Sequence, residues 1–379
     1  MTVKSKRNIV FGKPDITGAE IMAVNDVMRS GWLSGGPVAT RFEDMFANYL
    51  GNGIFAVSVS SCTEALILSL MALEIGPGDK VIVPTMTYCA TVNAIIQVGA
   101  IPVFVDSTVS GHINPYNIPE KIDEKVKAII PVHYTGSACN ISEIMEIANN
   151  YGLKVIEDAA HAFDGWGVGA DRAPSILFPL GTIGNMGCFS FYPTKNITCG
   201  EGGMIVTKHK ILAEAARILS NQGQSDDAWT CCNLKASKNR EVVSPGRKGN
   251  MSDIHAAIGV TQLERWPEIK AKRKAVWDVY ENAFGKKEPG HSMHLFTIQS
   301  KNRDKLRKHL NRDGIGTGIH FKPLHLEPAY EFLGHKKGDF PVAEYIGKTT
   351  VSLPVSSTMT VEDAEFVVKK IKEFKGKEK

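Results

Sequence analysis

Between residues 55 and 207 the chain alternates short apolar, β-branched runs with stretches whose apolar positions recur every three to four residues. The short runs predict strands at 55–60, 80–84, 102–106, 128–132, 154–158, 187–191 and 204–207. Helical spacing fills most of the gaps, as at 64–73 and 141–148. Strands that are apolar along their whole length are covered on both faces. Their alternation with helices predicts an α/β fold with a large, mainly parallel sheet of seven strands.

Past residue 207 the pattern changes. A helix is expected at 211–221, and the polar stretch 226–248, with two adjacent cysteines, reads as an excursion or loop. Ser252 is a plausible N-cap for a long helix, broken or kinked at Pro267, that runs to about residue 284. A smaller α/β unit follows, with strands at 294–298, 317–320 and 351–353 and helices at 302–312 and 361–374. The expected division is a large domain over 1–250, including an amino-terminal arm, and a small domain over 251–379 that includes the connecting helix.

Composition narrows the function classes. A formal charge of +4 on 379 residues gives no reason to invoke nucleic acid, and the lysine-rich carboxyl terminus reads as a solvated helix face. Seven scattered cysteines form no CxxC pair and no ligand spacing with histidine, so neither a disulfide framework nor a metal site is indicated. The amino terminus lacks a signal-peptide h-region, and no run reaches the roughly 20 apolar residues that cross a bilayer. A cytoplasmic protein is expected, without a membrane partner.

Four local features carry chemistry. Lys195 lies between two apolar strands and is followed by Gly200-Glu-Gly-Gly203, with Ser190 just before it. A lysine placed there needs a fixed counter-charge or conversion to something other than an ammonium, such as an imine with an aldehyde cofactor. Ser61-Cys62-Thr63-Glu64, at a strand-to-helix turn, suits helix capping and equally suits an anion on free backbone N–H groups. Tyr88 follows a strand at its carboxyl end, where a ring can stack on a ligand or simply pack. Asp158 and His161 follow another strand; the aspartate fits a protonated ring nitrogen or a helix cap, and the histidine a ligand or the core. Together they meet the requirements of pyridoxal 5′-phosphate. The rival, NAD, would call for a G-x-G-x-x-G turn that the first strand and helix lack.

These segments, in this order, resemble the DegT/DnrJ/EryC1/StrS family of nucleotide-sugar aminotransferases over nearly the whole chain. The motifs are Gly31-Trp-Leu-Ser-Gly-Gly-Pro37, Ser61-Cys-Thr63, Thr87-Tyr-Cys-Ala-Thr91, Pro131-Val-His133, Glu157-Asp-Ala-Ala-His161, Phe189-Ser-Phe with Lys195 and Gly200-Glu-Gly-Gly203, and His320-Phe-Lys-Pro-Leu-His325. The resemblance implies fold type I and a ping-pong transfer of an amino group from L-glutamate, which leaves as 2-oxoglutarate, to a nucleotide-linked keto-sugar. It implies that Lys195 is the Schiff-base anchor and proton shuttle and that Asp158 binds the pyridinium nitrogen. His161, where many relatives carry glutamine, would bond the ring hydroxyl, and Tyr88 would stack on the ring. Ser190 and the backbone of Cys62 and Thr63 would hold the phosphate, with Ser61 also among the cofactor-binding residues.

A homodimer is implied too, with the partner completing that phosphate site from the region of Gly246–Asp253; Asn250 is taken here over Lys248. Trp32, Ser34, His320 and Lys322 fall in segments that line the acceptor pocket in relatives. Two departures stand out: Cys62 replaces the usual glycine, and Gly246-Arg-Lys-Gly-Asn-Met251 replaces Gly-Tyr-Asn-Tyr-Arg-Met. A sugar-dehydratase branch of the family carries histidine at the lysine position, so Lys195 speaks against that activity.

Overall fold

The computed structural model describes residues 7–168, 177–225, 229, 241–285 and 289–376. Helices α1 (Gly18–Ser30) and α2 (Pro37–Leu50) come first. A capping box fixes the start of α1, with the Thr17 N–H donating to Glu20 at 2.8 Å, and Gly31 ends it at φ 76°. Then follow β1 (Phe55–Val59), α3 (Cys62–Ala72), β2 (Lys80–Pro84), α4 (Cys89–Gln97), β3 (Ile101–Val105), β4 (Val126–Ile129), α5 (Ile141–Tyr151) and β5 (Lys154–Asp158). A hairpin of two short strands, β6 (Trp166–Val168) and β7 (Leu177–Pro179), separates β5 from β8 (Met186–Ser190) and β9 (Gly203–Thr207).

The seven long strands form one sheet in the order β1-β9-β8-β5-β4-β2-β3. The strands pair in parallel from β8 to β3, whereas β9 runs against both β8 and β1, so the sheet is mainly parallel as the pattern predicts. Alternate side chains go to opposite faces. Val81, Ala128, Ile156, Cys188 and Ile205 join one core with Leu66 and Leu70 of α3. On the other side Phe189, Met204 and Val206 meet Phe42 and Phe46 of α2, while Ile82, Ile129 and Val155 meet Ile144 of α5. Both faces are dry, which explains the uninterrupted apolar runs.

After α6 (Lys210–Ser220), the helix expected from Ser252 is two helices, α7 (Asp253–Glu264) and α8 (Trp266–Phe284), with Pro267 in the first turn of the second. There its missing N–H costs nothing. Ala256, Val260 and Leu263 of α7 belong to the core of the large sheet, whereas Val276, Trp277 and Tyr280 of α8 pack in a separate carboxy-terminal core. That core also holds β10 (Phe296–Gln299), α9 (Arg303–Arg312), β11 (Thr350–Leu353) and α11 (Val361–Gly376), with α10 (Pro341–Thr349) leading into β11.

One expected element is corrected. Residues 317–320 form no strand; only Gly318 pairs with Ser352, while Ile315 bridges back to Ile9. The hydroxyl of Tyr134 donates to the His320 carbonyl, and the chain turns there toward the ends of the large-sheet strands instead of following β11. Of the polar stretch 226–248, Cys231, Cys232 and their neighbours lie outside the described residues. Its described end folds back, Val242 and Lys248 bridging Gln224 and Asn221.

Candidate active site

The carboxyl ends of β1, β2, β5 and β8 open on one cavity of about 460 Å³, where open α/β sheets take ligands. Ser61, Cys62, Thr63, Tyr88, Asp158, His161, Ser190, Lys195 and His320 all line it. Residues spread over most of the sequence meet here because parallel strands end on the same side of the sheet.

Each is positioned by a local device. Ser61 caps α3, its hydroxyl accepting the Glu64 N–H at 3.1 Å, which satisfies the capping reading. Glu64 does not reach back to close a capping box; it takes two bonds from the Arg247 guanidinium, at 2.6 and 3.1 Å. The N–H groups of Cys62 and Thr63, in the first helical turn, have no intrahelical acceptor and border the cavity. Gly203 presses on this turn: a Cβ there would lie 2.5 Å from the Ser61 carbonyl carbon and 2.6 Å from the Cys62 nitrogen. Gly200, at φ 80°, turns the loop back toward β9. These contacts explain the first and last glycines of the Gly-Glu-Gly-Gly sequence after Lys195.

Asp158 ends β5. Its carboxylate accepts the Thr91 hydroxyl at 2.8 Å and the Ala160 N–H at 3.1 Å, and among the described residues no cation lies within salt-bridge distance. Burial pushes the carboxyl upward, against those two bonds and the charge of Lys195. Lys195 follows a turn in which its N–H donates to the Tyr192 carbonyl at 2.9 Å. Burial lowers its ammonium to about 8, opposed by Cys62 and Asp158, so about a tenth is free amine at pH 7, far more than for an ordinary lysine. It is the one lysine or arginine in the cavity lining among the described residues.

Three imidazoles share a wall. His161 and His294 have centroids 4.7 Å apart, and His161 and His320 6.3 Å. Burial, with Lys195 nearby, drives all three below the ordinary histidine range, His320 to about 4. Tyr88 is 59 % exposed, so its ring stands at the mouth, 5.9 Å from Phe321.

The remaining expected residues lie off this cavity. Lys322 pairs with Glu327 at 3.1 Å on another surface. Trp32 donates its indole N–H to the Gly35 carbonyl at 3.3 Å and meets the Trp229 ring edge-on at 4.9 Å. The Ser34 carbonyl accepts the Asp253 N–H at 3.3 Å. Asn250 accepts a bond from Lys248 at 2.5 Å, and its amide nitrogen would lie 2.9 Å from a Cβ on Gly35. Trp32, Ser34 and Asn250 thus form one patch beside the start of α7. Sequence reasoning missed His294, Asp253 and the pair of His133 and Glu157. Asp253 accepts the N–H groups of Gly36, Val38 and Ala39 at 2.8, 3.2 and 3.0 Å, anchoring α2 to α7. Buried beneath Asp158, His133 Nε2 lies 2.8 Å from Glu157. The available signals were the acidic first residue after the Ser252 cap and the Pro131-Val-His133 and Glu157-Asp158 motifs themselves.

Comparison with known proteins agrees with the geometry. The model of the DegT/DnrJ/EryC1/StrS aminotransferase family matches residues 14–372. The protein MJ1066 of Methanocaldococcus jannaschii, itself uncharacterised, is 41 % identical over 380 residues, covering 96 % of each chain. The spore coat polysaccharide biosynthesis protein SpsC of Bacillus subtilis is 37 % identical over 394 residues, covering 99 % of each. Among solved structures, Spr1654 of Streptococcus pneumoniae, assigned as a sugar aminotransferase, superposes in its PMP form with TM-score 0.89 at 31 % identity, over 98 % of this chain and 100 % of that one. Its PLP form gives 0.88 at 30 %, over 98 % and 99 %.

Proposed function

Because the chain belongs to the DegT/DnrJ/EryC1/StrS aminotransferase family, whose members are fold type I enzymes that use pyridoxal 5′-phosphate, we propose that it moves an amino group from L-glutamate to a nucleotide-linked keto-sugar. The sugar reading draws on SpsC and Spr1654, and the product would serve surface-glycan or secondary-metabolite synthesis in the cytoplasm. The observation that carries the proposal is the convergence of a lysine whose ammonium form burial disfavours, an enclosed carboxylate and open helix N–H groups on one cavity.

The residues suit the cofactor. Asp158 is an enclosed carboxylate without a salt-bridging cation among the described residues, and a protonated ring nitrogen supplies one. The α3 amides, Ser61 and Ser190 offer donors to a phosphate. Bound there, pyridoxal phosphate supplies an aldehyde for the amino group and an electron sink for the carbon that loses its proton.

Everything else falls to the chain. Asp158 keeps the ring nitrogen protonated, a contribution worth several powers of ten in rate at about 1.4 kcal/mol each. Lys195 anchors the cofactor, then takes the α-proton of the donor and returns a proton in the second half of the cycle. His161 donates to the ring oxygen, Tyr88 covers the ring face at the mouth, and the backbone of Cys62 and Thr63 holds the phosphate with Ser190. His320 faces the acceptor. Asn250, Trp32 and Ser34, which share a patch away from their own cavity, are read as serving the cavity of a second copy in a homodimer, and Lys322 as meeting the acceptor's outer, charged portion.

Purified protein should be yellow. Glutamate alone should bleach the visible band and release one equivalent of 2-oxoglutarate, and a nucleotide keto-sugar should restore it. A yellow protein left unchanged by glutamate would exclude this donor.

A further inference from the structure

His294 begins the approach to β10, and nothing in the proposed chemistry uses it. Its segment is nevertheless bound tightly to the site. Ser292 donates its hydroxyl to the His161 carbonyl at 2.6 Å, Asn196, next to Lys195, donates to the Ser292 carbonyl at 2.7 Å, and the Leu295 N–H reaches the Thr135 carbonyl at 3.0 Å. From behind, the buried guanidinium of Arg273 donates to the Met293 and His294 carbonyls at 2.8 and 3.2 Å and to Val355 at 3.3 Å. These bonds fix the His294 ring against that of His161, with planes inclined by 40°.

Each of the two rings has its Nδ1 enclosed without a protein partner. A buried ring nitrogen left alone is costly, and two side by side satisfy each other when one donates and the other accepts. Both rings are neutral, as this requires. Burial comes first for each, reinforced around His161 by Lys195, His320 and His291, and around His294 by His161, Lys195, Arg273 and His320. His320 is not the missing partner: its Nδ1 is engaged with the Ser352 hydroxyl at 2.8 Å, and neither of its nitrogens makes a hydrogen bond to the Nδ1 of His161 or His294.

We propose that His294 is a positioning residue for His161: its Nδ1–H is donated to one bridging water that in turn donates to His161 Nδ1, which fixes the His161 hydrogen on Nε2, the nitrogen open to the cavity. The tautomer of a histidine is set by the bond its other nitrogen makes. The inference rests on the reading of His161 as the donor to the cofactor's ring oxygen.

The test is a pH titration of the visible band of the holoenzyme. A hydrogen donated to the ring oxygen draws electron density from it and lowers the midpoint. His294→Phe keeps a ring but no nitrogen and should raise the midpoint by about one pH unit, the worth of one bond to a charged oxygen. His294→Asn, whose amide occupies the Nδ1 position, should restore the wild-type value. His161→Gln carries a donor whatever its neighbour does, so adding His294→Phe to it should change nothing further. The proposal is overturned if His294→Phe titrates like the wild type, or shifts the midpoint equally in both backgrounds. Should His294→Phe not retain cofactor, His294→Gln, with its amide at the Nε2 position, replaces it in both arms with the same expected shift. His161→Phe separates the two readings. An unmoved midpoint there removes the role of His161 itself, whereas a shift there with none from the His294 variants removes only that of His294.

Discussion

Glu157 is fully buried, and its two oxygens accept four bonds. One takes the N–H groups of Ile183 and Gly184 at 2.7 and 2.6 Å; the other takes Gly181 at 2.9 Å and faces His133 Nε2 at 2.8 Å. The Cys139 N–H points at His133 Nδ1 from 3.3 Å, so that nitrogen accepts and the ring's hydrogen sits on Nε2, donated to Glu157. Glu157→Gln keeps shape and one oxygen but turns the other into an amide donor, which then confronts two donors. Two bonds to a charged group, at about 1.5–3 kcal/mol each, are lost, for a cost of about 3–6 kcal/mol. Urea unfolding of the apoprotein, followed by tryptophan fluorescence, should show the midpoint fall by about 1 M or more. Burial would raise the Glu157 carboxyl, but the His133 bond and the Gly184 and Gly181 N–H groups outweigh it and hold the group below its ordinary range. A depressed carboxyl contributes stability above its unfolded value that is lost as pH falls through the folded one, so the gap between wild type and variant should narrow in acid. A variant that unfolds at the wild-type midpoint near neutral pH would refute this reasoning.

Three further outcomes are expected. Asp158→Asn should retain the fold but lose several powers of ten in transamination rate, measured as 2-oxoglutarate release, because the enclosed charge is gone. Capture of pyridoxal phosphate by the apoprotein should quicken with pH around a midpoint of about 8, because burial holds Lys195 there; stopped-flow absorbance at several pH values gives it, and a midpoint near the ordinary lysine value contradicts the geometry. Asp253→Ala should cost about 2 kcal/mol in urea unfolding, since it strips three N–H groups at the start of α2 of their acceptor.

The large sheet was legible because burial on both faces writes itself into most strands as an apolar run, as in Val81–Pro84 and Met204–Val206. The hairpin of β6 and β7 was not, since three-residue strands such as Trp166–Val168 are too short for any period to show. Residues 317–320 have strand composition, but a tertiary bond from Tyr134 decides their path. In the site, Asp158 and Ser61 announce themselves because each sits at or just past the end of a recognisable strand, and Lys195 because it lies between two of them ahead of Gly200-Glu-Gly-Gly203. His294 does not: its partners are His161 and Arg273, distant in sequence, and a histidine ahead of a strand carries no local signal. Trp32, Ser34 and Asn250 show the same limit from the other side, since motifs give membership of a site without saying which surface of the single chain they occupy.

Lys195 can be examined most directly by reducing the yellow holoenzyme with borohydride and mapping the modified peptide by mass spectrometry. The pyridoxyl group should appear on Lys195 alone, and incubation with glutamate beforehand should abolish the labelling. A label on another lysine, or labelling that glutamate leaves untouched, would contradict the assignment of this cavity as the aminotransferase centre.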